Sequence, residues 1–204
     1  MLLINIQVGK CVIFNEKRRM LDVNDTDNTT IKNTENSPDT FVDVSKELDS
    51  LFFGSFTHSV DSKGRVIVPS SFRSKLGDSF VITVTQNFDS LAIYTEKAFL
   101  KLYKKLQQGD DLDPAIYEYK KALFAWSYTN QQFDAQGRAL LPMELRKIIL
   151  KDAKDIKFTG IGEYIILKEQ KEAEQGLLDF ISNREQRYEA FRNAMLKCEQ
   201  NNRS

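Results

Sequence analysis

The feature that most constrains this chain is an internal repeat. Residues 56–73 recur as residues 129–146, with Asp61/Asp134, Gly64/Gly137, Arg65/Arg138, Pro69/Pro142 and Arg73/Arg146 identical. Apolar residues fill the same slots between them, as Val60/Phe133, Ile67/Leu140, Val68/Leu141 and Phe72/Leu145. Each copy reads as a strand, an Asp-x-(Lys/Gln)-Gly turn, and a second strand that ends in proline. Gly64 and Gly137 supply the positive φ such a turn needs, and Asp61 and Asp134 can accept backbone N–H bonds across it. Pro69 and Pro142 then open short helices whose apolar faces are Phe72 with Leu76 and Leu145 with Ile149.

A second strand pair follows each short helix, at residues 80–85 with 91–94 and at residues 156–162 with 164–167. Thr95 caps a helix with the stripe Phe99, Leu102, Tyr103 and Leu106, and Asp113-Pro114 starts another that runs to Trp126. A half of about 45 residues is too short to bury a core alone. Two halves in one chain can interleave their hairpins, which predicts an α+β fold with a single pseudo-two-fold barrel, short helices and a C-terminal helix.

Charge divides the chain differently. There are 29 basic and 29 acidic residues in all, which at first sight argues against a nucleic-acid partner. Residues 1–50, however, carry six basic and nine acidic side chains, and the remainder is correspondingly basic. Of the 29 residues from Asp22 to Ser50, 18 are Asp, Asn, Thr or Ser. So polar a segment has too little apolar surface to offset its ordering entropy, and a disordered acidic leader is expected there. Residues 1–21 are more apolar and predict a strand or two. The expected organisation is a leader (1–50), a first half (51–98), connecting helices (99–126), a second half (127–170) and a charged helical tail (171–204). In the tail, Leu177, Ile181, Arg184, Tyr188, Phe191 and Met195 repeat at heptad-like spacing, expected to dock on the chain's own body or on a neighbouring subunit.

The duplicated turns, with Gly54-Ser-Phe before the first and Gly160-Ile-Gly162 and Ile165-Ile166 after the second, closely resemble the MraZ family of bacterial transcriptional regulators. The resemblance covers residues 51 to about 170. It implies two AbrB-like swapped-hairpin halves in one chain, in a cytoplasmic, nucleoid-associated protein. It further implies homo-oligomers closed into a ring, octamer-like in size, that bind double-stranded DNA at short tandem direct repeats in the promoter of the division and cell-wall gene cluster. Asp61, Arg65, Asp134 and Arg138 occupy the positions associated with DNA binding. Because family members begin just before the Phe-x-Gly, Leu51 is expected to be the true initiator.

Chemically, Arg65 and Arg138 sit one residue past a glycine turn, where a guanidinium can bind phosphate or the O6/N7 edge of guanine. Alternatively each pairs with the aspartate four residues back and only fixes the turn. At the equivalent tips, Lys63 suits phosphate or guanine and Gln136 suits adenine. Arg73 and Arg146 either touch the DNA backbone, support the hairpins, lie on a solvated helix face, or form salt bridges within the fold. His58 has no His, Cys or carboxylate partner at metal-ligand spacing, and the two cysteines, Cys11 and Cys198, form no CxxC. No metal, cofactor, disulfide framework or enzyme constellation is therefore expected. No apolar run approaches the roughly 18 residues of a membrane span. An AbrB-like antitoxin, its tail clamping a protein toxin, is the rival reading on the same fold. A small phosphate- or carboxylate-metabolising enzyme using the Asp/Arg pairs is the rival from another class.

Overall fold

The computed structural model describes residues 44–201. The strands expected within residues 1–21 and nearly all of the leader lie outside the described residues; the end of the leader carries a short helix, α1 (Val44–Asp49). From there the expected α+β order appears twice. The first half contains β1 (Phe52–Ser59), β2 (Arg65–Ile67), α2 (Ser70–Leu76), β3 (Phe80–Val84) and β4 (Leu91–Thr95). After α3 (Glu96–Leu106) and α4 (Pro114–Ala125), the second half supplies β5 (Tyr128–Gln131), β6 (Arg138–Leu140), α5 (Met143–Ile148), β7 (Asp155–Gly162) and β8 (Tyr164–Glu169). The tail forms α6 (Gln170–Ser182) and α7 (Arg184–Asn201).

The halves exchange strands. All pairings are antiparallel, in the order β1-β7-β8-β4-β3-β5, so the first strand of each half pairs with the third strand of the other. The pairs β4–β8 and β2–β6 join equivalent strands across the approximate two-fold. Among the described residues the sheet does not close: β1 and β5 are its two edges, and β2 with β6 forms a separate two-stranded ribbon. These ribbon strands are three residues long, and Pro69 and Pro142 follow them closely. Proline has no N–H to donate, so the ladder stops there. The ribbon stays tied to β1 through the bridge between Val60 and Val66.

Nearly every residue of β3 and β4 is buried, because these central strands are covered on both faces. One face joins the main core with Phe52, Phe72, Phe158, Leu145 and Leu167. The other, with Val81, Ala92 and Tyr94, packs under Ala98, Phe99 and Leu102 of α3. The helix signals act as the sequence predicts: Thr95 Oγ1 accepts from the Ala98 amide at 3.1 Å, and Asp113 Oδ1 from the Ala115 amide at 2.8 Å. Pro69 and Pro142 stand one residue earlier than expected, at the caps of α2 and α5.

The tail differs from expectation. It is two helices, broken at Asn183, whose backbone leaves helical geometry (φ −107°, ψ 21°) while its side-chain amide bonds Asp179 O at 2.9 Å. Its apolar stripe does not dock on the described body: Leu177, Ile181, Tyr188, Phe191 and Met195 are all exposed. Charged residues around the stripe leave α7 without a dominant apolar side to bury. Among the described residues no helix is long and apolar enough to cross a membrane.

Phe72 and Leu145 are repeat mates, each 1% exposed, and Phe72 meets Phe52 and Phe56 edge-on at 5.7 and 5.2 Å between ring centres. Removing a packed phenylalanine or leucine side chain leaves a cavity. Phe72→Ala is expected to cost about 3–5 kcal/mol and Leu145→Ala about 2–5 kcal/mol, measured as the shift in urea unfolding midpoint.

Candidate functional site

The two repeated turns are built alike, atom by atom. In the first, the Asp61 amide donates to Arg65 O (2.8 Å) and the Gly64 amide to Asp61 O (2.9 Å). Asp61 Oδ1 accepts from the amides of Lys63 and Arg65, both at 2.9 Å. Its other oxygen, Oδ2, takes the Arg65 Nε hydrogen at 2.8 Å. In the second, Asp134 Oδ1 accepts from the amides of Gln136 (2.9 Å) and Arg138 (3.0 Å), and Oδ2 from Arg138 Nε (2.7 Å). Gly64 and Gly137 hold φ of +81° and +73°. That is why both turns carry glycine.

Strand exchange brings these turns together. Arg65 Nη1 stands 3.7 Å from Asp134 Oδ2, and Arg138 Nη1 stands 3.7 Å from Asp61 Oδ2. Two carboxylates and two guanidinium groups thus form one network across the approximate two-fold. The backbone repeats the exchange: the Val68 amide donates to Gly137 O at 3.3 Å, and the Leu141 amide to Gly64 O at 3.0 Å. So do the helix arginines. A β-carbon built on Gly64 falls 1.8 Å from Arg146 Nη1, and one built on Gly137 falls 1.7 Å from Arg73 Nη1. Each arginine therefore lies against the glycine of the other half's turn, so a larger residue there would have to push the guanidinium aside as well as adopt a positive φ.

The symmetry fails in one place. Arg146 Nε pairs with Asp152 Oδ1 at 3.1 Å, whereas Arg73 Nε is buried without a hydrogen-bond partner among the described residues. The residue that matches Asp152 in the first half is Ser79, which bonds Glu96 instead. Asp152 is a site residue that the repeat cannot reveal, because the pattern stops at Arg146.

The expected site residues therefore fall on one connected structure. Asp61, Gly64, Arg65, Asp134, Gly137 and Arg138 make the turns, Arg73 and Arg146 pack on them, and Lys63 and Gln136 stand exposed at the tips. Side chains of Arg65 and Arg138 are 28% and 22% exposed. Each aspartate uses Oδ1 for backbone amides, so only Oδ2 faces the guanidinium, and the closed bidentate pair does not form. A guanidinium carries five donors in a planar fork, so N–H groups remain for an outside acceptor. Five cations (Lys63, Arg65, Arg73, Arg138, Arg146) face three carboxylates (Asp61, Asp134, Asp152), which makes the assembly suited to an anion. His58 packs edge-on against Phe158 at 6.0 Å between ring centres. Among the described residues there is no group of three or more His, Cys, Asp or Glu placed to hold a metal.

Comparison with known proteins points in one direction. Residues 51–115 match the family model described as "MraZ protein, putative antitoxin-like". The chain is similar to a protein named transcriptional regulator MraZ from Finegoldia magna, 31% identical over 125 residues, which cover 61% of this chain and 85% of that one. Proteins of the same name from Acetivibrio thermocellus and Clostridium tetani are 34% and 36% identical, over 55% and 56% of this chain and 76% and 79% of theirs.

The turn network has an acid signature. Backbone donation from Arg65, with help from its side chain and the Lys63 amide, lowers Asp61 from 3.8 to about 2. The Arg138 amide acts first in lowering Asp134 in the same way. A carboxyl with a depressed folded value stabilises the fold above its unfolded value. That contribution is lost as pH falls from about 4 through about 2. Asp61→Asn is expected to flatten the fall in melting temperature over this window relative to the parent chain, read by circular dichroism. Parallel melting curves for the two proteins contradict the assignment.

Proposed function

This chain belongs to the MraZ family, and from that premise we propose that it is a sequence-specific, DNA-binding transcriptional regulator. Its binding site in this reading is a set of short tandem direct repeats in the promoter of the division and cell-wall gene cluster. The observation that carries the reading is the joined pair of Asp/Arg turns, around which cations outnumber carboxylates. A two-stranded β-ribbon is narrow enough to enter the major groove of B-DNA, roughly 12 Å wide, where guanine offers O6 and N7 to arginine. In this mechanism Asp61 and Asp134 hold Arg65 and Arg138 at fixed angles, so less side-chain freedom is lost on binding. Arg65 and Arg138 read base edges, Lys63 contacts phosphate or guanine, and Gln136 is suited to adenine. Arg73 and Arg146 support the opposite turn while keeping donors for the DNA backbone.

The reciprocal pairing of first and third strands supports a double AbrB-like swapped-hairpin barrel as the underlying architecture. Several copies in a ring, octamer-like in size, would set identical ribbons along one edge. Such a row fits direct repeats about one helical turn, roughly 10 bp, apart. Avidity across copies then multiplies a modest affinity per ribbon. A transcriptional regulator of this kind acts in the cytoplasm, on the nucleoid, and is not an enzyme. One observation favours a second reading: the exposed apolar residues of α6 and α7 suit an AbrB-like antitoxin that clamps a protein toxin. Co-purification of a small protein partner that is lost when residues 171–204 are deleted supports that alternative.

The test is a fluorescence-anisotropy titration with a duplex selected by the full chain from a random-sequence pool, against its scrambled counterpart. Arg65→Ala and Arg138→Ala are each expected to lose most discrimination between the duplexes while remaining folded, as read by circular dichroism. Lys63→Ala is expected to weaken binding to both and to lower the slope of log K against log salt by about 1. Unchanged discrimination in both arginine variants overturns the assignment.

A further inference from the structure

The ribbon carries more than arginine. Its register sets Arg65 opposite Leu140, Val66 opposite Ala139, and Ile67 opposite Arg138. Successive strand residues point to opposite faces. Val66 and Ala139 face inward and are fully buried, so Arg65, Ile67, Arg138 and Leu140 share the outer face. Ile67 is 46% exposed and Leu140 55%. They are repeat mates, so a four-carbon aliphatic side chain is offered twice, each time directly across the ribbon from an arginine. Their neighbours at Val68 and Leu141 are buried, which leaves Ile67 and Leu140 with no place in the core.

Isolated apolar side chains between guanidinium groups have few suitable partners. A second copy of this face is a poor one, because it would bring Lys63, Arg65 and Arg138 against their own like charges. An apolar protein surface is poor too, since it would leave the arginines desolvated without acceptors. The major groove of DNA offers both chemistries side by side. Its only apolar group at a base edge is the 5-methyl of thymine, next to the acceptors of purines. Directly opposed Cβ atoms in a ribbon are about 5 Å apart, between one and two of the roughly 3.4 Å steps between base pairs, so a long arginine and its aliphatic partner can reach neighbouring pairs.

We propose that Ile67 and Leu140 are specificity-determining residues that read thymine 5-methyl groups beside the bases read by Arg138 and Arg65. This rests on the DNA-binding reading above. It adds a requirement that arginine recognition does not contain: the recognition site must place a thymine next to a base contacted by an arginine, once for each couple.

The experiment uses the full chain and the duplex it selects from a random pool, with each thymine replaced in turn by deoxyuridine, which differs only by the missing methyl. The parent chain is expected to lose on the order of three- to fivefold in affinity at one or two thymines, the worth of one apolar carbon. Ile67→Ala or Leu140→Ala should bind the thymine and uracil versions equally at the matching position, yet still prefer the selected duplex to its scramble. Equal binding of every uracil duplex by the parent chain overturns the proposal. So does wild-type thymine discrimination in both variants, or a change of oligomer mass in light scattering with that discrimination intact, which assigns the face to subunit contact. Selection of no duplex overturns the DNA reading and this inference with it; selection that is abolished by Arg65→Ala but indifferent to uracil overturns this inference alone.

Discussion

A carboxylate that divides its two oxygens between two jobs holds the centre of this molecule. Oδ1 of Asp61 and of Asp134 accepts two backbone amides and so fixes the turn, while Oδ2 holds the following arginine. Neither job is separable from the glycine that lets the chain reverse, nor from the arginine of the other half that lies against that glycine. Because each turn is completed by a residue of the opposite half, neither half has a finished turn alone. The same reciprocity governs the sheet, where each first strand pairs with the other half's third. Cooperativity between the halves is therefore built in at backbone, side-chain and core levels.

This arrangement would let a chain with balanced charge present the anion-binding face proposed for it. The charges of Asp61 and Asp134 are offset by the guanidinium groups they hold, and both oxygens of each already accept from amides or arginine. The arginines are oriented but not exhausted. Electrostatic attraction from so small an excess of cations is weak for a single ribbon, and repetition of ribbons is the physical route to useful affinity.

Much of this was legible in the sequence, and for a physical reason. Turns that need a positive φ and a side-chain acceptor admit few residue types, so Asp61/Gly64/Arg65 and Asp134/Gly137/Arg138 stand out as a pair. Thr95 and Asp113 announce helix starts for the same reason. Relations between the halves were less legible. Nothing in the spacing tells that Arg73 lies on Gly137, or that Arg146 takes Asp152 where the first half has Ser79, because these contacts arise only from strand exchange. The ribbon strands, three residues each, were too short to show alternation. Ile67 and Val68 look equivalent as apolar slots, yet one is exposed and the other buried. The open sheet likewise depends on where the ladder stops, and the break at Asn183 on a local helix end that carries no proline or glycine.

In the proposed mechanism the two turns act as one reading unit and not as two independent ones. A double-variant cycle on affinity for the selected duplex tests it most directly, using Arg65→Lys and Arg138→Lys, which keep the charge but lose the planar fork. If the turns are one unit, the double variant loses clearly less, or clearly more, than the product of the two single losses. A loss equal to that product, within experimental error, contradicts the account.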